Sequence, residues 1–373
     1  MDALMLPLNW QRVRLGDIGK PCMCKRVMKH QTTRYGEIPF YKIGTFGNTA
    51  DAFISKKLFL EYKTKYSFPK KGDILISASG TIGRAVIYDG KPAYFQDSNI
   101  VWIDNDETLV KNDFLFYAYS NVKWNTEHTT ILRLYNDNFR NTLIPLPPLN
   151  EQIAIANILS DLDRYLCALD ALILKKEGVK KALSFELLSQ RKRLKGFNQA
   201  WQRVRLGDIA NYLTSNLSAE QITQQGKIKV YDVNNFIGYT DTTFISDKPY
   251  ISIVKDGSVG RVRILPPKTN ILSTMGALIA NHRTTTEFLF YLLSNFDFKN
   301  FTSGSIIPHI YFKDYKEKTI FLPPLNEQSA IANILSALDN EITSLKNKKR
   351  QFENIKKALN HDLMSVKIRV LEK

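Results

Sequence analysis

Two short stretches of this 373-residue chain set glycines, a hydroxyl and a cation where a tight backbone turn could meet a phosphate or a base edge. They are Gly80-Thr81-Ile82-Gly83-Arg84 and Gly257-Ser258-Val259-Gly260-Arg261. The glycines permit close approach, and the arginine supplies donors. Groups of matching chemistry surround them. Lys25, Arg26, Lys42, Thr45, Lys63, Lys65 and Ser79 precede the first stretch, and Asp232, Asn234, Asn235 and Lys255 precede the second. Lys and Arg clamp phosphates, whereas Arg, Asn, Thr and Ser can hydrogen-bond base edges. With Thr81, Arg84, Ser258 and Arg261, these are the candidate nucleic-acid contacts. The competing reading is a glycine-demanding hairpin beside a solvated charged face.

The charge agrees with a polyanionic partner. Lys and Arg number 52 against 36 Asp and Glu, a formal net charge of +16, and the excess is spread along the chain rather than held in one tail. Catalytic chemistry is missing by the same inspection. There is no Gly-x-Gly fingerprint for a dinucleotide or methyl donor, and no Gly-Lys-Ser/Thr phosphate loop. The histidines are scattered and form no His-Glu-x-x-His. Cys22, Cys24 and Cys167 have neither zinc spacing nor a disulfide framework. No catalytic residue, metal ligand or cofactor-binding residue is expected. Without a leader-like start or an apolar run of about 18–20 residues, the chain reads as cytoplasmic, with no membrane partner.

The elements that must position these groups occur twice. Trp10 to Ile18 recurs letter for letter as Trp201 to Ile209, and Leu146 to Gln152 recurs as Leu322 to Gln328. Each copy of the latter leads into Ala-Ile-Ala-Asn-Ile-Leu-Ser. Between these anchors the copies agree only in patches, and the first carries an extra stretch, roughly 56 to 72. The chain is a tandem duplication with matching ends and diverged middles. Matching ends suggest a shared structural or docking task, and diverged middles suggest two related but unequal recognition tasks. Each middle reads as short β-rich runs broken by Gly and Pro, with a helix near Phe114 to Ser120, which predicts an α+β domain.

After each Pro-Pro pair the pattern changes to long helices. Asn150 and Asn326 are the expected N-caps. Leu159, Leu162, Leu166, Leu169, Ile173, Leu183 and Leu187 keep heptad spacing. So do Leu335, Leu338, Ile342, Leu345, Phe352, Leu359 and Leu363. Lys176, Lys180, Lys349 and Lys356 interrupt the two stripes, and Gly178 weakens the first helix. Two such stripes in one chain predict an antiparallel coiled coil.

Trp-x-x-Val-x-Leu-Gly-Asp-Ile opening each half, and Leu-Pro-Pro-Leu-Asn-Glu-Gln leading into a heptad helix, resemble the specificity subunit of type I restriction-modification systems. The resemblance covers essentially the whole chain. It implies two tandem α/β target recognition domains held apart by two long helices in an antiparallel coiled coil, with approximate two-fold symmetry. The expected divisions are recognition domains at 1–145 and 198–321, and spacer helices at 146–197 (conserved region 1) and 322–373 (conserved region 2). Each domain would read one half of a bipartite asymmetric site in double-stranded DNA. The implied partners are two modification subunits that methylate adenine and restriction subunits that translocate and cut. S-adenosylmethionine, ATP and magnesium would belong to those partners. Docking is expected on Leu149, Asn150, Glu151 and Gln152, and on Leu325, Asn326, Glu327 and Gln328. The alternatives are a coiled-coil adaptor with two protein-binding heads, or a self-contained DNA-modifying enzyme, for which no motif is present.

If the helices act as a ruler, their length sets the number of unread base pairs between half-sites. One heptad inserted in register near Ile173 and one near Lys349 adds about 10 Å at ~1.5 Å per residue. Methylation mapping should then show a preferred spacer about three base pairs longer, at ~3.4 Å per pair. Both half-site sequences should be unchanged, and an unchanged spacer would remove the ruler.

Overall fold

The computed structural model of the protein describes residues 9–128 and 132–370. It divides into two compact units, Met1–Leu169 with Lys348–Lys373, and Asp170–Asn347. Each long helix crosses from one unit into the other, because the first runs Leu149–Leu188 and the second Leu325–Met364.

In the first unit, strand Gln11–Arg14 pairs antiparallel with Leu143–Leu146, so the two ends of the α+β domain are stitched together. Between them lies an antiparallel sheet ordered Gly19–Met23, Ile100–Asn105, Ile74–Ser77, Ala85–Ile87. Side chains alternate across a strand, and here both faces are covered. Ile74 and Ile76 enter the core formed with helix Asn112–Tyr119, while Leu75 enters a second core with Tyr94, Ile100 and Trp102. Cover on both faces explains why Ile74–Ser77 reads as an unbroken apolar run. A smaller sheet joins Phe53–Ile54, Ile38–Tyr41 and Tyr94–Phe95.

The extra stretch of the first copy folds as helix Lys56–Lys65, capped by Ser55, whose hydroxyl accepts from the Leu58 N–H at 3.2 Å. Its buried Phe59 packs edge-on to Phe68. Burial in the second core carries Cys24 with it and pushes its thiol up to about 12, an unreactive value.

The second unit repeats the plan. Gln202–Arg205 pairs with Thr319–Leu322, and the sheet order is Ala210–Thr214, Met275–Ala280, Tyr250–Val254, Val262–Leu265. Ile251 and Ile253 face the core with helix Thr286–Ser294, and Tyr250 and Val254 face the other. The strands Ile228–Tyr231 and Phe236–Thr240 pair antiparallel as Ile38–Tyr41 and Phe53–Ile54 do, but residues 241–249 then lead to the next strand through bends where the first unit has helix Lys56–Lys65.

Both long helices begin earlier than the expected asparagine caps. The carbonyl of Pro148 accepts the N–H groups of Glu151 and Gln152 at 2.9 Å each, and Pro324 accepts that of Gln328 at 2.9 Å. The prolines therefore close the first turn, and Asn150 and Asn326 sit inside it. Within each unit the two helix segments pair antiparallel. In the first, Asp163 meets Lys356 and Tyr165 lies 4.8 Å from Phe352 between ring centres. In the second, Lys180 meets Asp339 and Lys176 meets Glu341 at 2.8 Å. Three of the lysines that interrupt the stripes thus pair with carboxylates on the facing helix. Among the described residues, no helix is long and apolar enough to cross a membrane.

Gly178 continues the first helix, and a Cβ there would meet nothing within 4 Å. Gly178→Ala should raise stability by about 0.5–1 kcal/mol, measured by chemical denaturation. Gly83→Ala should do the opposite, because Gly83 has φ +83° and a Cβ would come within 2.1 Å of Trp124.

Candidate nucleic-acid interface

The recurring sequence anchors meet each other in space. The Trp10 indole N–H donates to the Glu151 carboxylate at 3.0 Å, and Trp201 donates to Glu327 at 2.9 Å. Arg369 lies 3.5 Å from Glu151, and Arg193 lies 2.6 Å from Glu327, so each buried carboxylate has a cation. The neighbouring glutamines are buried and fully used. Gln152 accepts the Lys111 N–H and donates to the carbonyls of Leu109 and Pro147. Gln328 accepts from Thr285 N–H and the Thr284 hydroxyl, and donates to the carbonyls of Arg283 and Pro323.

A second recurring cluster joins the α+β domain to both helices. The Tyr117 hydroxyl donates to Asp163 at 2.8 Å, Lys356 pairs with the same carboxylate, and its ammonium lies 5.5 Å from the centre of the Tyr117 ring. In the other unit, Tyr291 donates to Asp339 at 2.9 Å, and Lys180 takes the place of Lys356. Burial, followed by the hydrogen bond to the carboxylate, pushes both tyrosine hydroxyls well above their ordinary range, so they remain protonated donors.

These frames hold the loops that carry the polar groups. In the first unit, three loops converge at the end of strand Ile74–Ser77. Gln96 accepts the Ile43 N–H at 2.9 Å, and the Ala78 N–H donates to the Asn99 carbonyl at 2.7 Å. The Leu134 N–H donates to the Ala78 carbonyl at 2.8 Å. A cleft of about 490 Å³ opens there, with Arg26, Lys29, Lys42, Gln96, Asn99 and Arg133 in its lining. Ser98 beside it has φ +58°, a conformation rare outside glycine. Arg84 reaches across to the Phe46 carbonyl at 3.0 Å, and Thr81 is exposed on the adjoining turn.

In the second unit, Arg261 donates to the Asn234 side-chain oxygen at 2.8 Å, and Arg263 donates to the Asn234 carbonyl at 2.9 Å. Lys255 and Ser258 belong to a turn bonded to the strand His309–Ile310, through Ile310 N–H to Lys255 O at 2.9 Å. The paired turn and strand place Asp256 2.6 Å from His309.

Residues 7–176 and 198–354 each match the type I restriction modification DNA specificity domain. The chain belongs to that family. A putative type I restriction enzyme specificity subunit of Haemophilus influenzae is 64% identical over 148 residues, which span 39% of this chain and 38% of that protein. The MjaVIII specificity subunit of Methanocaldococcus jannaschii is 26% identical, with 99% of this chain and 95% of its own length covered. The fold is shared with the S subunit of a type I restriction-modification system from M. genitalium, at a TM-score of 0.64 and 20% identity over 96% of this chain and 98% of that one. The chain is thus a specificity subunit with two recognition domains, a non-catalytic part of its system.

Several residues singled out from the sequence take other places in these recognition domains. Glu151, Gln152, Glu327 and Gln328, expected as docking residues, are buried instead, and apart from Glu151 Oε1 their side-chain polar atoms bond within the domain. Leu149, Asn150, Leu325 and Asn326 are exposed beside them. Ser79 is buried and donates to Asn99 at 2.7 Å. Thr45 closes its own turn on Lys42, and Asp232 accepts the N–H groups of Asn234 and Asn235, so both are turn-formers. Lys63 and Lys65 ride on helix Lys56–Lys65 and do not line the cleft; Lys63 lies 5.2 Å from the centre of the Phe68 ring. Lys25 likewise lies 5.1 Å from the Tyr66 ring. Sequence inspection missed Gln96, Asn99, Arg133, Arg263, Asp256 and His309. One signal was available: Arg133 and His309 stand equally far before Leu146 and Leu322 in the repeat.

The buried carboxylates set a stability test. Glu327→Leu leaves the Trp201 N–H and Arg193 without their acceptor and should cost about 3 kcal/mol. Glu317→Ala removes only exposed pairs, with Arg205 and Lys316, and should cost under about 1 kcal/mol. Thermal melting of the two variants checks the contrast.

Proposed function

We propose that this chain binds double-stranded DNA through its two recognition domains, each reading one half of a bipartite, asymmetric site. The observation that carries this reading is the repeated scaffold whose loops hold different polar side chains. In the first domain these are Arg26 and Lys42, which line the cleft and pair with Asp97 and Asp51, and Thr81 and Arg84, which line a second cleft, with Lys25, Lys63 and Lys65 on the flank as phosphate contacts. In the second they are Asn234, Asn235, Lys255, Ser258 and Arg261. Ser79, Thr45 and Asp232 shape those loops from behind.

Two modification subunits would dock near the exposed helix starts, Leu149-Asn150 and Leu325-Asn326, once per repeat. Restriction subunits would join that complex. Methyl donor, ATP and magnesium would enter with those partners, because the sequence here offers no loop for any of them. DNA modification would take place wherever the assembled complex resides, expected to be the cytoplasm.

The chain alone, incubated with DNA and S-adenosylmethionine, should transfer no methyl group. Adding the modification subunit should produce methylated adenines in two half-sites separated by a fixed spacer, read by methylation mapping. Replacing residues 201–321 by another recognition domain should change one half-site and leave the other intact. Lys29→Ala should weaken binding to all sequences alike and lower the slope of log affinity against log salt by about one. A simultaneous change in both half-sites would end the independent-reader account.

A further inference from the structure

Three backbone positions in each recognition domain are equivalent by their hydrogen bonds. Ser79 bridges Arg133 antiparallel, just beyond the strand that ends at Ser77. Asp256 bridges His309 in the same way, just beyond the strand that ends at Val254. The residue before each bridge confirms the register. Ala78 N–H donates to Asn99 O at 2.7 Å, and Lys255 N–H donates to Thr274 O at 3.1 Å. Leu134 N–H donates to Ala78 O at 2.8 Å, as Ile310 N–H donates to Lys255 O at 2.9 Å. In both domains the next residue is a glycine in the left-handed region, Gly80 at φ +66° and Gly257 at φ +84°, with no close neighbour. Serine, asparagine and arginine in one domain therefore occupy the places of aspartate, threonine and histidine in the other.

The backbone is the same and the chemistry is opposite. In the first trio, the Asn99 side-chain oxygen accepts from the Ser79 hydroxyl at 2.7 Å and from one Arg133 N–H at 3.1 Å. That fixes the guanidinium in the cleft beside Arg26, Lys29 and Lys42. A guanidinium carries five N–H donors, so the remaining edge can still serve a pair of acceptors. In the second trio, the Asp256 carboxylate is held by His309 at 2.6 Å, and the His309 ring stacks over Tyr311. One carboxylate oxygen is thereby oriented while acceptor capacity remains, and Thr274 stands exposed beside it.

Resting on the reading of the two domains as DNA readers, we propose that these trios are the specificity-determining positions that make the half-sites differ. Arg133 selects guanine through its O6 and N7 acceptors. Asp256, oriented by His309, selects a base that presents an amino group in the major groove, cytosine or adenine. Ser79 and His309 are positioning residues for these two side chains.

The test uses the full chain co-expressed with its modification subunit, probed with a DNA library randomised across both half-sites and read by methylation. Arg133→Gln should reduce discrimination about 10- to 100-fold at one guanine of one half-site and leave the other half-site unchanged. Asp256→Asn should act on one amino-bearing base of the opposite half-site. His309→Gln should blur that same position, a readout that a purely structural role would not confine to one base. Arg133→Lys, which keeps the cation and the strand register, provides the comparison if the glutamine variant does not fold, and it should also relax the guanine position.

Uniform weakening over all sequences, with a lower salt slope, would make Arg133 a phosphate clamp and overturn the proposal. Unaltered base preference in Arg133→Gln and Asp256→Asn would overturn it as well. Either result leaves wild-type bipartite methylation in place, so it is distinguishable from failure of the underlying reading, in which the wild-type complex itself shows no bipartite site.

Discussion

Each recognition domain is closed by residues from both long helices, and most of the structure follows from that constraint. Leu363 and Met364, at the end of the second helix, are buried in the same core as Ile155 and Leu159 at the start of the first. Leu187, at the end of the first helix, is buried with Ile331 and Leu335 at the start of the second. Neither core is complete with the helix of its own repeat alone. Buried leucine-sized side chains contribute on the order of 2 kcal/mol each, so helix and domain must form together.

Polar contacts add direction to that packing. Lys356 reaches the Tyr117–Asp163 pair, and Lys180 reaches the Tyr291–Asp339 pair. In each unit the lysine comes from the other repeat's helix. An apolar stripe by itself tolerates sliding by a heptad, whereas a lysine that must meet one carboxylate and lie over one tyrosine ring does not. The lysines that interrupt the heptad pattern are therefore consistent with a role in register.

Identical sequence and free divergence have one physical explanation. Trp10, Glu151 and Gln152, and their counterparts Trp201, Glu327 and Gln328, are buried polar partners of each other or of the backbone. A change in any one would strand a desolvated group, which is costly in a way that no neighbouring adjustment repairs. The loops near Gly80 and Gly257 meet solvent, so their side chains can change without that penalty. A specificity subunit needs this division, with a scaffold that does not vary and edges that do. The helix Lys56–Lys65, which the second domain lacks, shows the same freedom at the level of a whole element.

The sequence by itself determined the duplication, the α+β character of each half, the two long helices with their apolar stripes, the absence of catalytic loops and the family. These are properties of repetition and periodicity, which a linear string carries in full. Tertiary structure alone decided that Glu151, Gln152, Glu327 and Gln328 face inward, because a polar residue in a first helical turn has the same appearance in sequence whether it meets a partner subunit or its own domain. It alone assigned Thr45 and Asp232 to turn closure, placed helix Lys56–Lys65, and brought Asn99 and Arg133 beside Ser79. Those groups lie far apart along the chain and meet only through strand register. Short-range patterns report which residues share a face of one element; hydrogen bonding between distant strands decides which faces meet.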